Sequence, residues 1–421
     1  MTRGLGKNFW LNMDRSIGVS KCRGCLASEL HEVINFGELP LANELTLTPK
    51  TVNTYPLVFS VCQRCSLGQV GSIVDPGLIF SDYRYTSSTS TTFLSHARNF
   101  VDDLIKNKVI FPGDFILEIA SNDGYLLRNL PKGEFRILGV EPAENIAKLA
   151  QLSDIETLTE FFDRDLARRI LIEYGHPRLI IANNVLAHVP DLQTFVEGIS
   201  ILCNQNTLVS IENPSILALL ENSLFDTIYH EHFSYLGARA VKSLTSKYNL
   251  EIFDIESLMI HGGTNRYWIS QKGVQSIKDS VENCLKIEGE KLVLERWKSF
   301  ATQVQNSIEM FQIWLDKMES TGRLTFGYGA AAKASTFLNM VGQTSSKILG
   351  IFDNSPEKYD RFMPNQAIPI LSPANISKLQ IDNLIVFPWN ITSELVSDFK
   401  GKNNSVTKFW KAVPSITDLG V

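Results

Sequence analysis

A chain of 421 residues exceeds one ordinary domain and predicts two or three. Its 44% apolar and 20% charged residues are the mix of globular protein and exclude disorder, a collagen-like repeat and a disulfide-dense fold. With 40 Lys and Arg against 45 Asp and Glu, the net charge is −5, so no overall field draws nucleic acid or an anionic membrane. No apolar run reaches the roughly 18–20 residues of a spanning helix. The first twenty residues lack the apolar core of a secretory signal. The expectation is a cytoplasmic protein without a membrane partner, whose paired cysteines are metal ligands and not disulfides.

The first element is a pair of knuckles, Cys22-x-x-Cys25 and Cys62-x-x-Cys65, with 36 residues between them. Two residues between thiolates aim both sulfurs at one ion, and two such turns complete a tetrahedral, structural zinc site. The gap calls for a hairpin or small sheet, which the alternation Tyr55, Leu57, Phe59, Val61 fits. Cys203 and Cys284 stand alone in apolar surroundings and read as core. A Ser/Thr-rich stretch follows the knuckles, then a helix from about Leu94 to Asn107.

Next come strand, turn and helix in repetition: FILEIA, RILGVE, RLIIANNVLA and TLVSIEN. This texture predicts an α/β domain on a parallel, doubly wound sheet. One long helical stretch is expected from about Val274 to Met318, before a second, smaller α/β series with RLTFGYGAAAKASTFL, KILGIFDNSP and NLIVFPWN.

In FILEIASNDGYLL, Glu118 closes a buried strand, Ala120 to Gly124 form the turn and a helix is expected from Tyr125. The next strand ends in Glu141, 23 residues after Glu118, where an acid suits the two hydroxyls of a ribose. No G-x-G-x-x-G makes room for a pyrophosphate. An acidic loop without a phosphate cradle suits S-adenosylmethionine.

Histidine is scarce, seven in all, so Tyr229-His230-Glu231-His232 is conspicuous, as is His188 at the end of LIIANNVLAH. The spacing is not the H-E-x-x-H of zinc proteases. A metal loop, a structural cluster and acid–base work all remain open. Acid–base work suits a neutral imidazole beside a carboxylate. Beside S-adenosylmethionine, such a kit fits methylation of carbon, which needs a base on a C–H next to a carbonyl and donors for the enolate oxygen.

CRGC, ELPLAN, CQRC, DYRYTSS, LEIASNDGYLL, GVEPAENIA, NVLAHVPDL, FDTIYHEHFSYL, HGGTNR and FGYGAAAKASTFLN together resemble the sugar C-methyltransferases of deoxysugar biosynthesis, in order and over nearly the whole chain from Cys22. The resemblance implies an N-terminal zinc-binding module, a central doubly wound Rossmann-like methyltransferase domain and a smaller C-terminal Rossmann-like domain. The boundaries expected are 1–80, 81–310 and 311–421. It implies a nucleoside-diphosphate-linked 4-keto, or else 3-keto, deoxysugar as substrate, methylated at C3 through an enolate; the chain is expected to be a monomer. Carried over by position, the catalytic and substrate residues are Tyr85, His188, Tyr229, Glu231 and His232, with His232 the base and His188 on the ketone side. The cofactor would rest against Glu118, Ser121, Asn122, Asp123, Gly124 and Glu141, with His96 nearby.

One departure is Ala120, where the family carries Gly; its methyl is expected to crowd the cofactor loop. Gly327 and Gly329, with Lys333, either touch the substrate's diphosphate or make a close-packed strand–helix turn. Two rival readings are a binding protein of the same fold without turnover and a nicotinamide oxidoreductase using this loop, with Asp353 at the end of the next strand.

Overall fold

The computed structural model describes residues 16–80, 88, 91–389, 392, 396 and 406–420. The N-terminal strands are β1 (Ser16–Gly18), β2 (Leu30–Pro40), β3 (Thr54–Cys62), β4 (Gly68–Val70) and β5 (Ser72–Val74). In β3 the expected alternation holds: Tyr55, Leu57, Phe59 and Val61 are all buried against the rest of the molecule. The short helix α1 (Pro76–Phe80) and the longer α2 (Thr91–Lys106) lead into the central domain.

That domain contains β6 (Phe115–Ile119), β7 (Arg136–Val140), α3 (Glu144–Leu152), β8 (Thr157–Leu158), α4 (Arg164–Tyr174), β9 (Leu179–Asn183), α5 (Leu192–Leu202) and β10 (Leu208–Pro214). After β10 come α6 (Ile216–Glu221), β11 (Ser234–Tyr235), α7 (Ala238–Thr245), β12 (Leu250–Leu258) and β13 (Thr264–Gln271). The sheet order is β12-β13-β10-β9-β6-β7-β8. Strands β6 to β10 pair in parallel and β6 and β9 are buried throughout, as strands covered on both faces must be. The sheet is not wholly parallel, however: β13 runs antiparallel to both β10 and β12. A tight turn at Ile260–Gly262 joins β12 to β13 and forces that direction.

The single helix expected from Val274 to Met318 is two, α8 (Asp279–Lys291) and α9 (Leu294–Ser320). The break at Leu292–Val293 lets α8 pack on α7 and β12 while α9 leaves for the C-terminal part. There β14 (Thr325–Tyr328), α10 (Ala332–Val341), β15 (Ile351–Phe352), β16 (Ile370–Leu371), β17 (Ile381–Val386), β18 (Val406–Lys411) and β19 (Thr417–Asp418) build a second sheet, ordered β16-β15-β14-β17-β18-β19. All its pairs are parallel except β18 with β19. Among the described residues no helix is long and apolar enough to cross a membrane.

Candidate active site

The turn after β6 carries the first group of polar side chains. Ala120 and Asn122 sit at φ +57° and +50°, and Gly124 at +75°. These left-handed residues fold the chain back so that the Ser121 N–H donates to the Val140 carbonyl. A Cβ on Gly139 of β7 would collide with the Ser121 hydroxyl, so that glycine keeps the space the turn occupies. No α-helix starts at Tyr125. Only a short 3-10 turn, Leu127–Asn129, forms before Pro131, and the Asn129 amide bonds the Tyr125 and Leu126 carbonyls that a helix would use.

Glu141 at the end of β7 accepts from the backbone N–H of Asn122 at 3.1 Å and of Ala143 at 2.9 Å, which orients the carboxylate toward the loop. Glu118 is 1% exposed, and burial, then the Asp123 and Glu141 charges, hold its carboxyl well above the ordinary range. Glu118 Oε2, Ser121 Oγ and Asp123 Oδ1 are buried without hydrogen-bond partners, as are Asn183 Oδ1 at the end of β9 and both amide atoms of Asn184. Arg128 Nη2 stands 3.5 Å from Asp123 Oδ1, too far to donate well, so the carboxylate and hydroxyl oxygens of this cluster still call for a ligand that brings donors. The ribose hydroxyls, ammonium and sulfonium of S-adenosylmethionine meet that demand. Asn183 and Asn184 escaped the sequence reading. Their position just past a buried parallel strand was the available signal.

His96 on α2 faces Glu212 of β10, with Nε2 3.0 and 3.2 Å from its carboxylate oxygens. Arg266 of β13 bonds the same carboxylate and also Glu256, at 2.9 Å, and lies 4.0 Å over the Phe100 ring. His96 therefore sits at the edge of the buried Arg266–Glu212 ion pair, and Glu212 sits in register with Asn183. The Arg266 of HGGTNR was not anticipated in this role.

The segment Tyr229–His232 is a loop between α6 and β11, and it does not act as a row. His230 turns away: it is 1% exposed, its Nε2 lies 3.1 Å from the Tyr55 carbonyl, and burial pushes its imidazolium down to about 4. His232 Nδ1 faces the Thr227 carbonyl at 2.9 Å and must carry the proton, which leaves Nε2 to accept from the Tyr229 hydroxyl, also at 2.9 Å. His188 packs edge-on, ring centres 4.7 Å apart, and spends its Nδ1–H on the Glu231 carbonyl at 2.8 Å. Burial pushes His188 down to about 4, so it is neutral at pH 7 with Nε2 as an acceptor. Glu231, 4% exposed, is pushed up to about 7 by burial; Oε1 accepts 2.7 Å from Nδ2 of Asn43, on the exposed loop after β2. Tyr85 lies outside the described residues.

The four knuckle sulfurs lie within 4.8 Å of one another, with Cys22–Cys65 at 3.5 Å and Cys25–Cys62 at 3.4 Å. Sulfurs about 2.3 Å from a zinc ion make a tetrahedron with edges of about 3.8 Å, so the donor set fits the metal closely and leaves no open position. The two turns are the same turn. In each, the first cysteine's N–H bonds the carbonyl five residues on, and the residue after the second cysteine, Leu26 or Ser66, is left-handed. The strand after the second knuckle, β4, pairs with β11 just past His232, Ser234 against Gln69 and Tyr235 against Gly68. Cys203 is buried in the main core and Cys284 packs against it.

In the C-terminal loop, Gly327 admits the Phe387 ring, Gly329 at φ +89° admits Pro388, and Asp353 accepts from the Ala330 N–H at 2.8 Å and from Lys358 at 3.2 Å. The glycines thus serve close packing, and the acid a nicotinamide ribose would need is spent on its own chain. Lys333 lies 4.0 Å over Trp389, whose Nε1 donates at 2.8 Å to buried Asp226, three residues before Tyr229.

Comparison with known proteins agrees with this layout. Three family models match in succession: a zinc binding domain over 22–80, a methyltransferase domain over 93–255 and a C-methyltransferase C-terminal domain over 259–414. The last begins inside the β12–β13 hairpin, which belongs to the central sheet. The C-methyltransferase NovU of Streptomyces niveus is 28% identical over 388 residues, covering 91% of this chain and 92% of NovU. Among solved structures, the PH0226 protein of Pyrococcus horikoshii OT3 aligns at 16% identity with a TM-score of 0.36, over 45% of this chain and 95% of that one. Magnesium protoporphyrin IX methyltransferase (ChlM) of Synechocystis PCC 6803 with bound SAH aligns at 13% and 0.34, over 47% and 92%. Four converging thiols, a donor-hungry acidic turn and three matched domains in this order make the chain a zinc-binding, S-adenosylmethionine-dependent C-methyltransferase.

Proposed function

We propose that the carbon methylated is C3 of a nucleoside-diphosphate-linked 4-keto deoxysugar, with His232 as the base. The observation that supports this most is the His232 ring, held at Nδ1 by a carbonyl and meeting the Tyr229 hydroxyl at Nε2. An imidazole fixed in that tautomer offers its lone pair at Nε2 to a C–H proton. As the proton arrives there, the Tyr229 hydroxyl is displaced from Nε2 and turns to donate to the enolate oxygen. Glu231, poised near pH 7, is a second donor when protonated. His188 cannot donate from Nε2 in its neutral form, so its part is to orient a hydroxyl or water on the ketone side. Tyr85 keeps its place in this reading on the resemblance alone.

S-adenosylmethionine supplies an electrophilic methyl group. Glu118, Ser121, Asn122, Asp123, Gly124 and Glu141, with Asn183 and Asn184, form the cradle proposed for it. Lys333, from the C-terminal part, is the cation proposed for the diphosphate, on the same side as Asp226 and the Tyr229 loop.

His232→Ala should lose on the order of a hundredfold or more in turnover while S-adenosylmethionine affinity, measured calorimetrically, stays unchanged. With a nucleoside-diphosphate-linked 4-keto-6-deoxyhexose in deuterated water and no methyl donor, the native enzyme should wash deuterium into C3 and the variant should not. Near-native turnover in His232→Ala places the base elsewhere in the loop. If substitutions of Tyr229, Glu231 and His188 are equally silent, the ketosugar reading falls.

A further inference from the structure

Arg23 stands between the two cysteines of the first knuckle, and its side chain is enclosed. The residue is 8% exposed, and Nε, Nη1 and Nη2 are all buried without a hydrogen-bond partner. Its Cζ lies 5.6 Å from the ring of Phe233, the residue after His232. Only the backbone of Arg23 is tied down: its N–H donates to Gln69 Oε1 at 2.9 Å, and its carbonyl accepts from Gln193 Nε2 at 2.6 Å. Arginine stays charged at neutral pH, and a charge buried without a partner is among the most destabilising features a fold can carry.

Among the groups that act electrostatically on this guanidinium is the flanking Cys22 sulfur. Four free cysteines are neutral as thiols, but on binding zinc they become thiolates, and a tetrathiolate zinc centre carries two net negative charges. We propose that Arg23 is the buried counter-ion of the zinc centre, so that metal and guanidinium stabilise each other. Lys247 is a second cation at this edge, and its Nζ donates to the Gly24 carbonyl at 2.8 Å. Lys247 reaches solvent, whereas Arg23 does not, so the coupling through Arg23 is the one solvent does not screen.

The Phe233 ring over which Arg23 lies gives this pairing a consequence for catalysis. Phe233 precedes β11, whose Tyr235 hydroxyl donates to the Thr227 carbonyl at 3.0 Å, the same carbonyl that holds His232 Nδ1. The zinc charge therefore fixes Arg23 against the segment that orients the His232 ring.

Zinc affinity, read by competition with a chromophoric chelator, tests this in the full chain without any assay of turnover. Arg23→Met keeps most of the volume and removes the charge. It should weaken zinc binding by about tenfold or more and lower the melting midpoint of the zinc-loaded protein, without lowering that of the chelator-treated protein. Arg23→Lys restores a cation and should stay within about threefold of the native affinity. Native zinc affinity in Arg23→Met overturns the proposal. So does an equal loss in Met and Lys variants, which would trace the effect to shape. If Arg23→Met does not accumulate as folded protein, Arg23→Gln against Arg23→Lys makes the same comparison of neutral with charged.

Discussion

Ala120 shows how a single methyl acts through the backbone. Its φ of +57° lies in the left-handed region, where a Cβ costs an L-residue about 1 kcal/mol or more and glycine nothing. The departure from glycine thus carries a conformational cost, and the residue is only half-buried. Ala120→Gly should raise the melting midpoint by roughly 1–2 °C and leave S-adenosylmethionine affinity equal or better; a lower midpoint would contradict this account. Glu231 makes a second residue-scale prediction. Its carboxyl goes from 4.5 in the unfolded chain to about 7 in the fold, so between those values the folded state holds more protons. Its contribution to stability is full below 4.5 and declines as the pH rises through about 7. His188 and His230, pushed down to about 4, run the opposite way, losing stability as the pH falls below 6.5. They are common to the native protein and Glu231→Gln and cancel in the comparison. The variant should therefore gain in melting midpoint over the native protein between pH 5 and pH 8; a difference independent of pH would show that the carboxyl is not raised.

At the scale of elements, function sits where strands stop. β9 ends in Asn183, while β6 and β7 end in Ile119 and Val140 and run at once into Ser121 and Glu141, because the sheet's interior is apolar and its carboxyl edge is where backbone turns free groups for a ligand. The β6 turn needs room inside β7, which Gly139 provides. Gly139→Ala would drive its methyl into the Ser121 hydroxyl and the turn behind it. It should weaken S-adenosylmethionine binding by about tenfold or more, since cradle groups displaced by even an ångström lose their alignment, with zinc content unchanged. Unaltered affinity would mean that Ser121 and its turn are not part of the cradle. The Tyr229–His232 loop is held at its far end by another element altogether, since β4 and β11 share one sheet. The zinc knuckle therefore supports the loop through backbone hydrogen bonds as well as through Arg23.

Across the whole molecule, one apolar cluster joins all three parts. It contains Leu57 and Phe59 from β3, Phe225 and Phe233 on either side of the Tyr229–His232 loop, Trp297 and Phe311 on α9, and Phe337, Ile351 and Phe387 from the C-terminal part. Phe59 packs on Trp297 with ring centres 5.6 Å apart, and Phe311 on Phe337 at 4.8 Å. With α9 running through the shared core, the parts should unfold together. Calorimetry should show one main transition for the zinc-loaded protein. Phe311→Ala, worth about 3–5 kcal/mol in a filled core, should move that transition as a unit. Separate transitions for the residues before and after α9 would refute the shared core.

What the sequence by itself determined were the features set by near neighbours. Two C-x-x-C pairs in one short module read as two metal knuckles, and an apolar run followed by small and acidic residues reads as a strand and a ligand-facing turn. The zinc site, the α/β class, the polar turn after β6 and the place of Glu141 just past the next strand were all legible for that reason. Side-chain direction and partners distant along the chain were not. His230 and His232 are two residues apart, yet one is a structural hydrogen bond to Tyr55 and the other meets Tyr229, because an irregular loop obeys no period that sequence reveals. Asn43 reaches Glu231 from 188 residues away, and the carboxyl's unusual proton affinity comes from burial that exists only in the folded chain. The antiparallel β12–β13 pair, the break between α8 and α9 and the buried Arg23 are likewise decided by what packs against them. Local pattern specifies the kinds of chemistry available, and only tertiary packing decides which groups meet and in which protonation state.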